Sequence, residues 1–127
     1  MNTYRDSIFD TIINSELREK REYKYSDLGY YLICDAIEKI TRQPFEDFVS
    51  TNYYPALGMT TMGYKPLQRI DLNRIVPTEL DTTFRKQLVH GYVHDPGAAM
   101  LGGVSGHAGL FSNANDLAIL MQMYLQN

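Results

Sequence analysis

Tyr25-Ser26-Asp27-Leu28-Gly29-Tyr30-Tyr31-Leu32-Ile33-Cys34-Asp35-Ala36-Ile37-Glu38-Lys39-Ile40 is the stretch on which the reading of this chain turns. Leu28, Leu32, Ile33, Ala36, Ile37 and Ile40 recur at intervals of three and four, the period of an amphipathic helix. Asp27 stands where an N-cap belongs. The helix should stop near Thr41, ahead of Pro44, which can then occupy the first turn of a third helix because its missing N–H costs nothing there. Phe45, Phe48, Val49 and Tyr53 give that third helix a buried side.

Upstream, Tyr4, Ile8, Phe9, Ile12 and Ile13 fall on one stripe and predict a first helix. Downstream, a last helix should begin around Ser112 or Asn113, with Asp116 placed to complete a capping box and Leu117, Leu120, Met121, Tyr124 and Leu125 as its apolar stripe. Between the third and last helices the pattern changes. Residues 55–112 hold eight of the nine glycines and four of the five prolines, so irregular backbone is expected there. Ile75-Val76-Pro77-Thr78 and Gln87 to Val93 are the two short strands this region could hold. A long stretch with so little regular structure points to a functional region or to a missing partner segment.

Composition narrows the function classes. The 127 residues suit one domain, and 44% apolar with 21% charged is a globular balance. The net charge of -3 gives no electrostatic reason to expect nucleic acid. The basic residues from Arg18 to Lys24 alternate with Glu16, Glu19 and Glu22 and read as a solvated face. No apolar run approaches the roughly 20 residues that cross a bilayer, and MNTYRDSIFD lacks a charged-then-apolar leader. Cys34 is the single cysteine, set in an apolar helical run, and reads as an inert buried thiol.

Three features could carry chemistry. Tyr25-Ser26-Asp27 lies at a helix start, where unsatisfied backbone N–H groups favour anionic or polarised atoms. A tyrosine hydroxyl there could shuttle protons if a nearby cation lowered its pKa from about 10. With ten tyrosines in the chain, packing is the simpler role for any one, and Asp27 by itself is an N-cap. The second feature is Gly102-Gly103-Val104-Ser105-Gly106-His107-Ala108-Gly109, whose four glycines in eight residues imply positive φ or close chain approach. They do not fit GxGxxG, so a dinucleotide is not expected. Ser105 and His107 could be read as nucleophile and base, although sequence neighbours are not expected to face one another. The third feature is His90, His94 and His107. Gly91, Val93 and Pro96 argue against a helix that would let His90 and His94 share a metal. In a strand they would lie about 13 Å apart, so hydrogen bonds to Asp95 or to backbone are the expected roles.

Taken in order, several strings resemble the serine β-lactamase and penicillin-binding-protein superfamily, in particular its class C β-lactamase and esterase-like branch, as found fused to family 3 glycoside hydrolases. They are Tyr25-Ser26-Asp27-Leu28-Gly29-Tyr30-Tyr31, then Tyr54-Pro55-Ala56-Leu57-Gly58-Met59, Pro77-Thr78-Glu79 and Gly91-Tyr92-Val93-His94-Asp95-Pro96. Last comes Leu101 to Ser112, running on to Asp116-Leu117-Ala118. The resemblance spans roughly residues 4 to 126. It implies hydrolysis through an acyl-serine, with the Ser of a Ser-x-x-Lys helix as nucleophile, the Lys and a Tyr managing its proton, and backbone amides holding the oxyanion. Tyr25 matches the tyrosine of the family's Tyr-x-Asn motif. Asp27 matches its third position, where Asn is usual.

The nucleophile motif does not occur in the chain. Three residues after Ser7, Ser15, Ser26, Ser50, Ser105 and Ser112 stand Asp10, Arg18, Gly29, Tyr53, Ala108 and Asn115. Arg18 cannot act as the base, because a guanidinium keeps its proton. His107-Ala108-Gly109 fits the His-x-Gly form of the third motif on paper, but it leads directly into the Asp116 helix and reads as a structural glycine stretch. The expectation is therefore an internal fragment forming a single partial domain over 1–127. It should be mainly α with irregular loops, the helical subdomain of an α/β serine hydrolase with the flanking sheet missing. Tyr25 and Asp27 are its catalytic residues, with no cofactor and no metal. The resemblance implies a small-molecule or peptidoglycan-like substrate (a β-lactam, a D-alanyl peptide or an ester) and a periplasmic or cell-envelope parent. No turnover is expected from the chain alone. Apolar surface left by the missing strands could drive self-association. The rival readings are a helical interaction module or metal binder using its histidines, and a miniature hydrolase using Ser105 and His107.

Overall fold

A computed structural model describes residues 4–20 and 22–126. The readings above that touch residues 1–3, Arg21 and Asn127 lie outside the described residues. The architecture is mainly helical with one two-stranded sheet: α1 (Tyr4–Ile13), α2 (Leu28–Thr41), α3 (Phe45–Asn52), β1 (Glu79–Asp81), β2 (Gln87–Val89), α4 (Pro96–Met100) and α5 (Ala114–Leu125), with two short 3₁₀ turns at Pro66–Gln68 and Leu72–Arg74. All four helices anticipated from periodicity are present. The short α4 was not anticipated, because five residues are too few to show a period.

The junctions show how local chemistry sets the element ends. α2 stops at Arg42, which adopts a left-handed conformation (φ 57°) and donates its N–H to the Glu38 carbonyl. Gln43 precedes Pro44, a position where helical backbone is disfavoured. Pro44 takes the N-cap position instead of entering the first turn of α3. A proline side chain cannot accept a hydrogen bond there, and Glu38 of α2 substitutes for a cap by accepting the Phe45 N–H at 2.9 Å. Glu38 is also paired with Arg5, so one carboxylate joins α1, α2 and α3.

The N-cap expected of Asp27 is corrected. Asp27 holds the position, but its backbone is αR and its side chain caps nothing. Its carboxylate is occupied by the Tyr25 hydroxyl, while Ser26 Oγ accepts the Leu28 N–H at 3.2 Å. The capping box at α5 is half formed. Asn113 Oδ1 accepts the Asp116 N–H at 2.8 Å, but Asp116 turns away to serve residues 61 and 62.

The strand expected at Ile75–Thr78 falls at Glu79–Asp81. Pro77 has no N–H to give a ladder, and Thr78 donates to the Val89 carbonyl from its N–H at 2.8 Å and from its hydroxyl at 3.0 Å. The strand expected over Gln87 to Val93 closes at Val89, and Gly91 then turns the chain at φ 77°. Asp81, 4% exposed, organises the hairpin by accepting the N–H groups of Thr83, Phe84 and Arg85.

The core is small and lies chiefly among the loops: Cys34, Met59, Met62, Val89, Val93, Ala98 and Val104 are its buried apolar residues. The helical stripes expected to bury themselves do so only in part. Ile33, Ile40, Leu117, Met121, Tyr124 and Leu125 are exposed, although α2 packs against α1 and α3. Periodicity identified the helices correctly; it cannot say whether the same chain supplies what covers them. Among the described residues no helix is long and apolar enough to cross a membrane.

Candidate active site

The head of α2 and the loop between α4 and α5 face each other across a small cleft of ≈ 160 Å³ lined by Tyr25, Asp27, Tyr30, Gly106 and His107. Tyr25 is 71% exposed, so its hydroxyl is available to a ligand. That hydroxyl donates to Asp27 Oδ1 at 2.8 Å. The hydrogen bond to Asp27, helped by the carboxylate's charge, holds the Tyr25 phenol above its ordinary pKa of 10.0. This is the opposite of what a proton-accepting tyrosine requires. On its own terms the pair keeps a proton on Tyr25, and a cation would have to enter the cleft to release it.

The facing wall is built by the glycine-rich loop. Ser105 Oγ lies 2.8 Å from His107 Nδ1, and His107 Nε2 lies 2.8 Å from Asp95 Oδ1. The expectation that Ser105 and His107 would not face one another is thus overturned. Outside a helix, side chains two residues apart can lie on one side of the chain, and here Gly106 separates them without a side chain of its own. Asp95 was expected to bond a histidine and does. It also caps α4 by accepting the Ala98 N–H at 2.7 Å, a role its place before Pro96 could have announced. Burial pushes the Asp95 carboxyl up, but the Ala98 N–H and His107 outweigh that and hold it below the ordinary carboxylate value. Ser105 is 1% exposed and its carbonyl accepts from the Tyr64 hydroxyl at 2.9 Å.

The other histidines go elsewhere. His90 Nε2 bonds the Ile75 carbonyl at 2.5 Å, and His94 Nε2 stands 3.5 Å from Glu79 Oε2. The three imidazoles therefore have three separate sets of partners. Among the described residues no three His, Cys, Asp or Glu side chains converge as metal ligands. Cys34 is buried, and burial pushes its thiol up to about 11, as expected of an unreactive cysteine. His107-Ala108-Gly109 lies in the loop before α5 and not in β1 or β2.

A family model described as Beta-lactamase matches residues 5–127. The chain belongs to the β-lactamase family. Among curated relatives, a protein of Escherichia coli (strain K12) named "Putative D-alanyl-D-alanine carboxypeptidase" is 38% identical in an alignment of 122 residues that covers 87% of this chain and 28% of that protein. A protein of the same name from Salmonella gallinarum is 37% identical over the same extent. The β-lactamase-family chain thus spans little more than a quarter of the length of these relatives. No solved structure matches it. That family is the superfamily of serine β-lactamases and penicillin-binding proteins.

Proposed function

We propose that this chain supplies the tyrosine-bearing helical part of an acyl-serine hydrolase active site, and that it does not turn over substrate unaided. The observation that carries the reading is the exposed Tyr25 hydroxyl, bonded to Asp27 at the head of α2 and set in a cleft. In the proposed reaction a serine hydroxyl and a lysine from a Ser-x-x-Lys helix enter beside Tyr25. The ammonium counteracts the pull of Asp27, lowers the phenol pKa and lets Tyr25 pass the serine proton to the leaving group. No serine in this chain has lysine three residues on, so the nucleophile is to be supplied by sequence beyond these 127 residues. The substrate class is an amide or ester, with D-alanyl peptides, β-lactams and small esters as candidates, and the setting is the cell envelope. The chain forms one partial domain, in which the exposed stripes of α2 and α5 pack against sheet strands of the hydrolase fold.

A second reading rests on a specific geometry. The Ser105–His107–Asp95 series has the order of an activated nucleophile, base and orienting acid. The burial of Ser105 opposes it, since a carbonyl could not approach Oγ without the loop opening.

Incubating the chain with a fluorescent penicillin and a fluorophosphonate separates these readings, and no covalent adduct is expected. An adduct on Ser105 would establish the second reading in place of the first. A chimera in which this chain replaces the aligned 122 residues of the E. coli relative tests the role of Tyr25. Tyr25→Phe should slow acylation of that chimera by roughly 10²- to 10⁴-fold, and an unchanged rate sinks the assignment.

A further inference from the structure

His107 stands where three segments meet. Its ring stacks on Tyr31, in the first turn of α2, with centroids 4.3 Å apart and planes inclined by 22°. Its two nitrogens bond Ser105 on the loop and Asp95 at the head of α4. The side chain is 5% exposed, so water cannot readily replace either partner. Two glycines make room for this contact. A Cβ at Gly97 would collide with the Tyr31 hydroxyl, and one at Gly106 would collide with the Tyr30 carbonyl. α4 and the loop therefore rest directly on the turn that follows Asp27. The Tyr30 and Tyr31 amides of that turn both donate to the Asp27 carbonyl.

We propose that His107 is a positioning residue for the Tyr25–Asp27 pair, clamping the head of α2 between α4 and the glycine-rich loop so that the cleft keeps a fixed width. The inference rests on the reading of Tyr25 and Asp27 as the proton-handling pair. It adds a residue whose effect on the pair is exerted through Tyr31, Gly106 and the Asp27 carbonyl. A purely structural strut would loosen the whole chain when removed. A clamp loosens one place.

The test uses amide hydrogen exchange together with NMR of the chain labelled at tyrosine Cζ, the Tyr25 signal being assigned by its loss in Tyr25→Phe. His107→Phe keeps a ring on Tyr31 and removes both hydrogen bonds. The Tyr30 and Tyr31 amides should then exchange about tenfold faster, and the Tyr25 signal should move toward that of free tyrosine. Exchange at Met62, which is tied to Asp116, and at the β1–β2 hairpin should change by less than about twofold. His107→Gln, which can still donate to Asp95 and accept from Ser105, should restore most of the protection. If His107→Phe does not fold, Ser105→Ala is read in the same way. An unmoved α2 head, or a hairpin loosened by the same factor as α2, overturns the clamp. Asp27→Asn is the control: a shift of Tyr25 there without one in His107→Phe removes the clamp and leaves the pair. No shift in Asp27→Asn removes both.

Discussion

Asp116, in the first turn of α5, accepts a hydrogen bond from the Thr61 hydroxyl at 2.7 Å across 55 residues of sequence. The same oxygen takes the Thr61 and Met62 N–H groups, each at 2.8 Å. One carboxylate thereby anchors the last helix to the loop that follows α3. Thr61 in turn accepts from Asn113 Nδ2, which closes the link. Asp116→Ala should leave three donors of a largely buried site without an acceptor, lowering Tm by roughly 5 to 10 °C. Asp116→Asn should cost less, because its amide oxygen can still accept. Thermal unfolding followed by circular dichroism decides this. A Tm unchanged in Asp116→Ala would show that the anchor holds nothing.

Acid should unfold the chain through the same kind of group. Hydrogen bonds from Arg85 and the neighbouring backbone hold Asp81 well below the ordinary carboxylate value of 3.8, and Thr61 and the adjacent N–H groups hold Asp116 below it. Asp95 is lowered as well, its N–H and His107 partners overcoming burial. A group whose folded pKa is depressed binds a proton more readily when unfolded, so its contribution is fully present above the unfolded value. That contribution is lost as pH falls through the folded value. Tm should be nearly flat between about pH 7 and 5 and fall steeply below 3.8. In Asp116→Asn the steep part should be shallower. A Tm that rises on acidification contradicts the assignment of these three carboxylates.

The helices were legible because Leu28, Ile33, Ile37 and Ile40 repeat with the helical period, whatever they finally touch. Asp27 was misread as a cap because a capping carboxylate and one bound to Tyr25 have the same sequence signature. Only the αR backbone at residue 27 separates the two. The cleft could be seen in sequence on one side, at Tyr25-Ser26-Asp27. Its other wall could not, since it depends on Gly97 and Gly106 letting two segments some 70 residues downstream approach α2. Spacing carries no signal for such a contact. The glycine-rich loop did announce close approach, and Gly106 and Gly109 are where that approach occurs.

Gly109 offers a direct test of the loop. It adopts φ 110°, a conformation L side chains rarely take, and a Cβ there would also collide with the Gly103 carbonyl. Gly109→Ala should destabilise by about 2–4 kcal/mol, strain and steric displacement acting together. Gly102, equally left-handed at φ 79° but with open space beside it, should lose only about 1 kcal/mol as Gly102→Ala. Urea denaturation of the two variants measures the difference. Equal losses would mean that the Gly103 contact is not a constraint.

The exposed faces of the helices lead to the last expectation. Met121, Tyr124 and Leu125 lie on α5 at spacings of three and one, and are 52%, 65% and 79% exposed. Ile33 and Ile40, seven apart on α2, are 53% and 81% exposed. Burying one such side chain fully is worth about 1.5–3 kcal/mol and association costs at least about 4 kcal/mol, so several of them must be covered together by another copy of the chain for association to be favourable. Sedimentation velocity should show a monomer giving way to larger species as concentration rises into the range of tens of micromolar, the order expected of a modest apolar contact. Met121→Lys with Leu125→Lys should keep the chain monomeric at the same concentration, because a charge would have to be buried in the contact. Ile40→Lys alone then tells which helix provides the contact. If it abolishes association while the α5 pair does not, the face belongs to α2. If both variants associate as the parent does, the helical stripes do not drive self-association.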